Sequence, residues 1–128
     1  MVVFVDPVPR EEVADYWALS DAALVHLQDK PLFETVIPSK IFEAMAMQCP
    51  ILHGVRGESA DIVTGSGAGM AFTPEDPDAL ADVIASLLEH PEKLEEMARA
   101  GGAAAPQFSR TAMAHSMEGE LQKLLPAH

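Results

Sequence analysis

The residues with the clearest capacity for chemistry lie in one stretch, Thr35-Val36-Ile37-Pro38-Ser39-Lys40-Ile41-Phe42-Glu43-Ala44-Met45-Ala46-Met47-Gln48-Cys49-Pro50. Pro38 reads as the first residue of a helix, because its fixed φ suits that position and its missing N–H would be unpaired there anyway. Ile37 then becomes the N-cap, and it has no side-chain acceptor for the free N–H groups of the first turn. Such a start, after an extended loop, favours an anion through both its N–H groups and its dipole. On a helical wheel of about 100° per residue, Ile41, Phe42, Met45 and Ala46 share one apolar face. Ser39, Lys40 and Glu43 fall on the other side, with Met47 among them. An ammonium, a hydroxyl and a carboxylate thus stand within a turn of a possible phosphate position. The competing reading is an ordinary i,i+3 pair of Lys40 with Glu43, worth a few tenths of a kcal/mol.

Other candidates are fewer. Cys49 is the only cysteine, so no intrachain disulfide forms and a reducing cytoplasm is the expected setting. Lying between Gln48 and Pro50, it reads as a packed small residue, not a nucleophile. His26 falls in an apolar strand and reads as a core or rim residue. His53 and Gly54 either line a cleft or allow close backbone packing. Trp17 and Tyr16 read as core anchors. Asp6 lacks the acidic neighbours that a receiver-like signalling site would need.

These residues are positioned by alternating strands and helices. Val2-Val3-Phe4-Val5 reads as a buried strand closed by the turn residues Asp6-Pro7-Val8-Pro9. A domain that opens on such a strand suggests further chain upstream. A helix over residues 9–20 follows, then a strand over 22–27 and a loop over 28–37, longer than most βα loops. After the Pro38 helix come a strand over 50–55, a short helix over 58–64, and a strand over 69–72. Asp76 and Pro77 supply the N-cap and first position of an amphipathic helix carrying Leu80, Val83, Ile84, Leu87 and Leu88. A helix over 91–100, a flexible break over 101–106 and a last helix over 109–125, capped by Ser109, complete the chain.

This order predicts one α/β domain over residues 1–128, with a parallel sheet of about four strands and helices on its faces. Ligands in such sheets bind beyond the carboxyl ends of the strands, which is where the Pro38 start lies. With 128 residues and 48% hydrophobic content the chain can build a real core; at 5% aromatic, it must use Val, Leu, Ile, Ala and seven Met. A net charge of −12 argues against nucleic acid or an anionic membrane as partner. Lys30, Lys40 and Arg56 are the basic residues near its centre. No transmembrane run or signal peptide is legible, and a soluble cytoplasmic protein is expected.

Several motifs, in order, carry a family resemblance. They are Ser20-Asp21-Ala22-Ala23-Leu24-Val25, Pro38-Ser39-Lys40-Ile41-Phe42-Glu43-Ala44-Met45-Ala46 with Pro50, and Gly57-Glu58-Ser59-Ala60-Asp61-Ile62-Val63. Gly67-Ala68-Gly69 and Pro74-Glu75-Asp76-Pro77-Asp78-Ala79-Leu80-Ala81 continue the series. The chain resembles the C-terminal, donor-binding domain of GT-B-fold retaining glycosyltransferases, the group 1 or family 4 enzymes. The resemblance implies a Rossmann-like sheet corresponding to the later part of that domain, hence a truncated one. It implies transfer of a sugar, closest to the amino-sugar branch of surface polysaccharide synthesis, from a nucleotide-diphosphate sugar to a glycan or lipid-linked acceptor.

By the same resemblance, Glu43 holds the donor's ribose hydroxyls. Thr35 stands where the family has the first glutamate of its pair, with Glu34 one position early, and its hydroxyl would hydrogen-bond the sugar. The diphosphate would meet Val36, Ile37, Ser39 and Lys40, and the base would meet the Asp6–Arg10 loop, at Pro7 and Val8. Glycine is usual where Gln48 stands. No metal or cofactor is expected and no catalytic residue is assigned. An acceptor-binding domain or companion chain would be needed for transfer, so the isolated chain is expected to be inactive. The alternative is a non-catalytic interaction module, dimerising through Val2-Val3-Phe4-Val5 as a bare sheet edge.

Overall fold

A computed structural model describes residues 1–125. Helix α1 (Arg10–Leu19) leads into β1 (Ala23–His26), and a 3₁₀ turn, Pro31–Thr35, precedes α2 (Lys40–Ala46). Strand β2 (Ile51–Gly54), α3 (Glu58–Gly65) and β3 (Gly69–Ala71) follow. The chain ends in α4 (Pro77–Glu89), α5 (Glu92–Ala104), a 3₁₀ turn at Ala105–Phe108, and α6 (Arg110–Lys123). The strands form one parallel sheet in the order β1-β2-β3, with Val25 opposite His53 and His53 opposite Ala71.

The two-residue period of the strands sorts their side chains into two layers. Ala23, Val25, Ile51 and Val55 join Ile41, Ala44 and Met45 of α2 and Val63 of α3 on one face. Leu52 turns to the other face and packs with Leu87 of α4 and Met97 of α5. Complete burial of Ile41, Met45 and Ile51 contributes about 1.5–3 kcal/mol each, so α2 is anchored as firmly as any part of the fold. Helix α1 is held more lightly: none of its residues is buried, and Trp17 is its packing contact with the first cluster.

The sheet differs from expectation at its start. Val2-Val3-Phe4-Val5 forms no strand and is exposed, with Phe4 at 94%. An apolar run becomes a strand only where a ladder partner takes up its N–H and C=O groups, and β1 pairs with β2 alone. The described residues therefore give three strands, not four, and the bare edge expected for dimerisation does not form there. The break expected at 101–106 is also corrected. Helix α5 continues to Ala104 because Gly101 lies against Ala68 and the backbone of Met45, where a larger side chain would crowd it.

The start of α2 shifts as well. Ser39 is the N-cap, two residues later than the Ile37 position expected, and its backbone is already helical at φ −60° and ψ −24°. A capping hydroxyl needs extended backbone to reach the N–H groups two or three residues on; Ser39 makes no such bond. The start remains without a side-chain cap. At the other end, Gln48 N–H bonds Met45 C=O at 3.0 Å and Cys49 N–H bonds Ala44 C=O at 2.8 Å. This is a Schellman closure, with Gln48 at φ 54° in the left-handed position that favours glycine. Gln48, standing where glycine is usual, thus makes a strained but complete cap.

Caps elsewhere follow the sequence. Asp76 accepts from Ala79 N–H and Ser109 from Ala112 N–H, both at 3.0 Å. On α6 no residue is buried, and the stripe from Met113 through Met117, Leu121, Leu124 and Leu125 is exposed.

Candidate donor site

The carboxyl edge of the sheet carries the loops that lead to α2, and short polar contacts hold them in place. His26, at the end of β1, accepts at Nε2 from Glu75 N–H (3.0 Å) and stacks on Phe72 with ring centroids 6.1 Å apart. Glu75 in turn accepts from Asp29 N–H at 3.0 Å, and Asp29 accepts from Arg56 Nε at 3.0 Å. His26 is thus a rim residue, as expected, and it holds the backbone of Glu75 in place. Gly57, at φ 94°, lets the backbone of Glu34 approach so closely that an added Cβ would sit 2.2 Å from its carbonyl oxygen. The 3₁₀ turn at Pro31–Thr35 is fixed against the start of α3 by that contact.

His53 and Ser59 belong to the core. Both are fully buried, and His53 Nε2 lies 2.9 Å from Ser59 Oγ. Nδ1 has no partner among the described residues. Burial holds the imidazole's pKa below its ordinary value, so it is neutral in the fold. Cys49 is buried too, and desolvation, followed by the charge of Asp21, pushes its thiol up. A protonated, inaccessible thiol is no nucleophile.

Helices α1 and α2 each run into the amino end of a strand, so both start near the carboxyl edge and lie on the same face. Between them is a cleft of about 540 Å³, walled by Val8, Arg10, Val13 and Trp17 on one side and Glu43, Ala46 and Met47 on the other. Glu43 faces this cleft instead of pairing with Lys40; among the described residues no ion pair joins the two. Lys40 and Ser39 are exposed beside the start of α2. Ile37 is half-buried against the first cluster, and Val36 is exposed.

Of the expected site residues, Glu43 and Val8 come together in the cleft, whereas Pro7 is exposed and outside its lining. Thr35 closes the 3₁₀ turn, its hydroxyl donating to Leu32 C=O at 3.0 Å. Arg10 and Trp17 also line the cleft; Arg10 ends the loop matched to the base, and Trp17 was expected only as a core anchor. Arg10 carried a legible signal, since a cation at a helix start opposes the dipole. Trp17 serves both as a core anchor and as cleft wall.

The match to known families covers this whole arrangement. The family model for glycosyl transferases group 1 matches residues 1–103, from the segment before α1 into α5. The chain belongs to the glycosyl transferases group 1 family. Its α/β fold with a parallel, Rossmann-like sheet agrees with part of the C-terminal domain of the GT-B fold. No curated protein matches the chain. Helix α6 lies outside the family match, and no helix among the described residues is long and apolar enough to cross a membrane.

Proposed function

We propose that the α1–α2 cleft and the adjoining start of α2 bind the nucleotide-diphosphate part of a sugar donor. The observation that carries this reading is the meeting of Glu43 and Val8, 35 positions apart in the chain, on one cleft. In this reading Glu43 accepts hydrogen bonds from the ribose hydroxyls. Free N–H groups around Ser39 and Lys40, with the Lys40 ammonium, receive the diphosphate after Val36 and Ile37, and the loop at Pro7 and Val8 flanks the base. Thr35 donates inward to Leu32 but keeps hydroxyl lone pairs that accept from the sugar. Such a site needs neither metal nor cofactor, because backbone dipoles and one ammonium offset the phosphate charge.

The donor is a nucleotide-diphosphate sugar, and the acceptor a glycan or lipid-linked sugar in surface polysaccharide synthesis in the cytoplasm. The acceptor is held by a further domain or companion chain whose closure excludes water. No residue of this chain is assigned to bond breaking. Calorimetric titration with UDP and GDP, alone and as sugar conjugates, tests the reading: saturable binding supports it, and absence of binding at millimolar concentration overturns it.

A second reading, a non-catalytic interaction module, draws on the exposed apolar run Val2-Val3-Phe4-Val5 and the exposed α6 stripe. It predicts no nucleotide binding in the same titration and a dimer by sedimentation.

A further inference from the structure

Strand β1 has one open side. Ala23 N–H bonds Pro50 C=O at 2.7 Å and Leu27 N–H bonds Gly54 C=O at 3.4 Å, both toward β2. The alternation of a parallel ladder then turns the backbone N–H and C=O groups of Leu24 and His26 away from β2. No strand pairs with them there among the described residues. Beside this edge lies an apolar groove, lined chiefly by Leu24, His26, Phe72, Pro77 and Leu80, and Leu24 is 58% exposed in it. Its volume of about 270 Å³ falls below the roughly 300–1,000 Å³ usual for a small-molecule site. It has the size of a seat for a side chain.

The exposed run Val2-Val3-Phe4-Val5 is the matching feature: an apolar segment of strand-forming residues that lacks a ladder partner. Within one copy, pairing it with β1 requires the chain to reverse between Val5 and the start of α1. Pro7 and Pro9 occupy that interval; each fixes its own φ and pushes Asp6 and Val8 to extended backbone. Pro9 is itself extended, at φ −55° and ψ 149°. A short, stiff link of this kind carries a strand away from its own sheet and favours exchange between copies. Charge selects the same surfaces. Two copies of net charge −12 repel one another wherever acidic faces meet, and neither the run nor Ala23–His26 contains an acidic residue.

We infer that Val2-Val3-Phe4-Val5 of one copy adds as a parallel strand to the open edge of β1 in a second copy, and that the exchange is reciprocal. Side chains alternate across a strand, so Phe4 shares a face with Val2 while Val3 and Val5 share the other. Phe4 enters the groove beside Leu24 and Leu80, and Val3 and Val5 extend the layer of Ala23 and Val25. Reciprocal exchange closes as a two-fold dimer and covers both β1 edges at once, which removes a hazard that bare edges carry. No residue of the groove lines the donor cleft, so dimer formation and nucleotide binding are separate measurements.

The test is analytical sedimentation of the intact chain, repeated with Phe4→Asp, Phe4→Leu and Leu24→Lys. Phe4 and Leu24 are exposed in the single copy, so circular dichroism is expected to show all three variants folded. The native chain is expected to be a dimer at micromolar concentration, and Phe4→Leu keeps it. Phe4→Asp and Leu24→Lys each weaken dimerisation by at least about tenfold, because each buries a charge in the contact. Disulfide trapping then fixes the partner strand. Phe4→Cys and Leu24→Cys chains, made separately, mixed and oxidised, are expected to form a covalent heterodimer, since neighbouring strands bring Cα atoms within disulfide range; Cys49 is buried and does not compete. A monomeric native chain overturns the inference, as does a dimer that survives both Phe4→Asp and Leu24→Lys. An intrachain disulfide in a monomeric Phe4→Cys, Leu24→Cys double variant shows the run on its own β1 and overturns it too.

Discussion

Gly57→Ala is the sharpest test of how the loop before α2 is held. Gly57 has φ 94° and ψ −147°, a region that residues with a Cβ occupy only at a cost of about 1–3 kcal/mol. The added methyl would also sit 2.2 Å from the Glu34 carbonyl oxygen and 2.9 Å from its Cα. Those are backbone atoms, so relief requires the Pro31–Thr35 turn to move by about 1 Å, an overpacking cost of about 1–3 kcal/mol. The two effects share one relaxation and do not add fully; a loss of about 2–4 kcal/mol is expected. Gly65→Ala, at the end of the same helix, meets nothing within 4 Å and should be neutral or stabilising by up to about 1 kcal/mol. Urea denaturation followed by circular dichroism measures both, and nucleotide affinity should fall in Gly57→Ala alone. A Gly57→Ala loss below about 0.5 kcal/mol, or equal effects at the two positions, refutes the reasoning.

Gln48→Gly relieves the left-handed strain at the end of α2 but removes the contact of Gln48 with Gly102; a net gain of about 0.5–1 kcal/mol is expected in denaturant titrations. His53 gives a pH dependence whose sign follows from its lowered pKa. The unfolded chain takes up a proton near pH 6.5 that the folded chain resists, so stability falls as pH drops below that value, by up to about 1.4 kcal/mol per unit. His53→Gln should flatten the difference in melting temperature between pH 7 and pH 5; an undiminished difference assigns it to other groups.

Legibility from the sequence tracked how local each determinant is. The Asp76 and Ser109 caps depend on side chains within three residues of the N–H they satisfy, and both were readable. The alternation of strands with α2, α3 and α4 was readable for the same reason. Val2-Val3-Phe4-Val5 misled because strand formation requires a neighbour that periodicity cannot supply. Gly101 and Gly102 misled in the opposite sense: their permissive backbone suggested a break, while contact with Ala68 and Gln48 makes small residues necessary inside a helix. Glu43 and Val8 were assigned to the site through the family pattern, and the packing of α1 on α2 explains their meeting. Arg10 was legible as the end of the loop matched to the base, whereas Trp17 joined the cleft only through that packing, which no spacing along the chain encodes.

The measurement closest to the central claim is the affinity of UDP and GDP for the native chain and for Glu43→Ala. Glu43 is exposed on the cleft and makes no ion pair among the described residues, so its removal should leave folding unchanged. Loss of a carboxylate that accepts from ribose hydroxyls should weaken binding by about 1.5–3 kcal/mol, roughly ten- to a hundredfold. The account predicts that weakening for both nucleotides, with the melting temperature of the free chain unaltered. Native affinity in Glu43→Ala would contradict it.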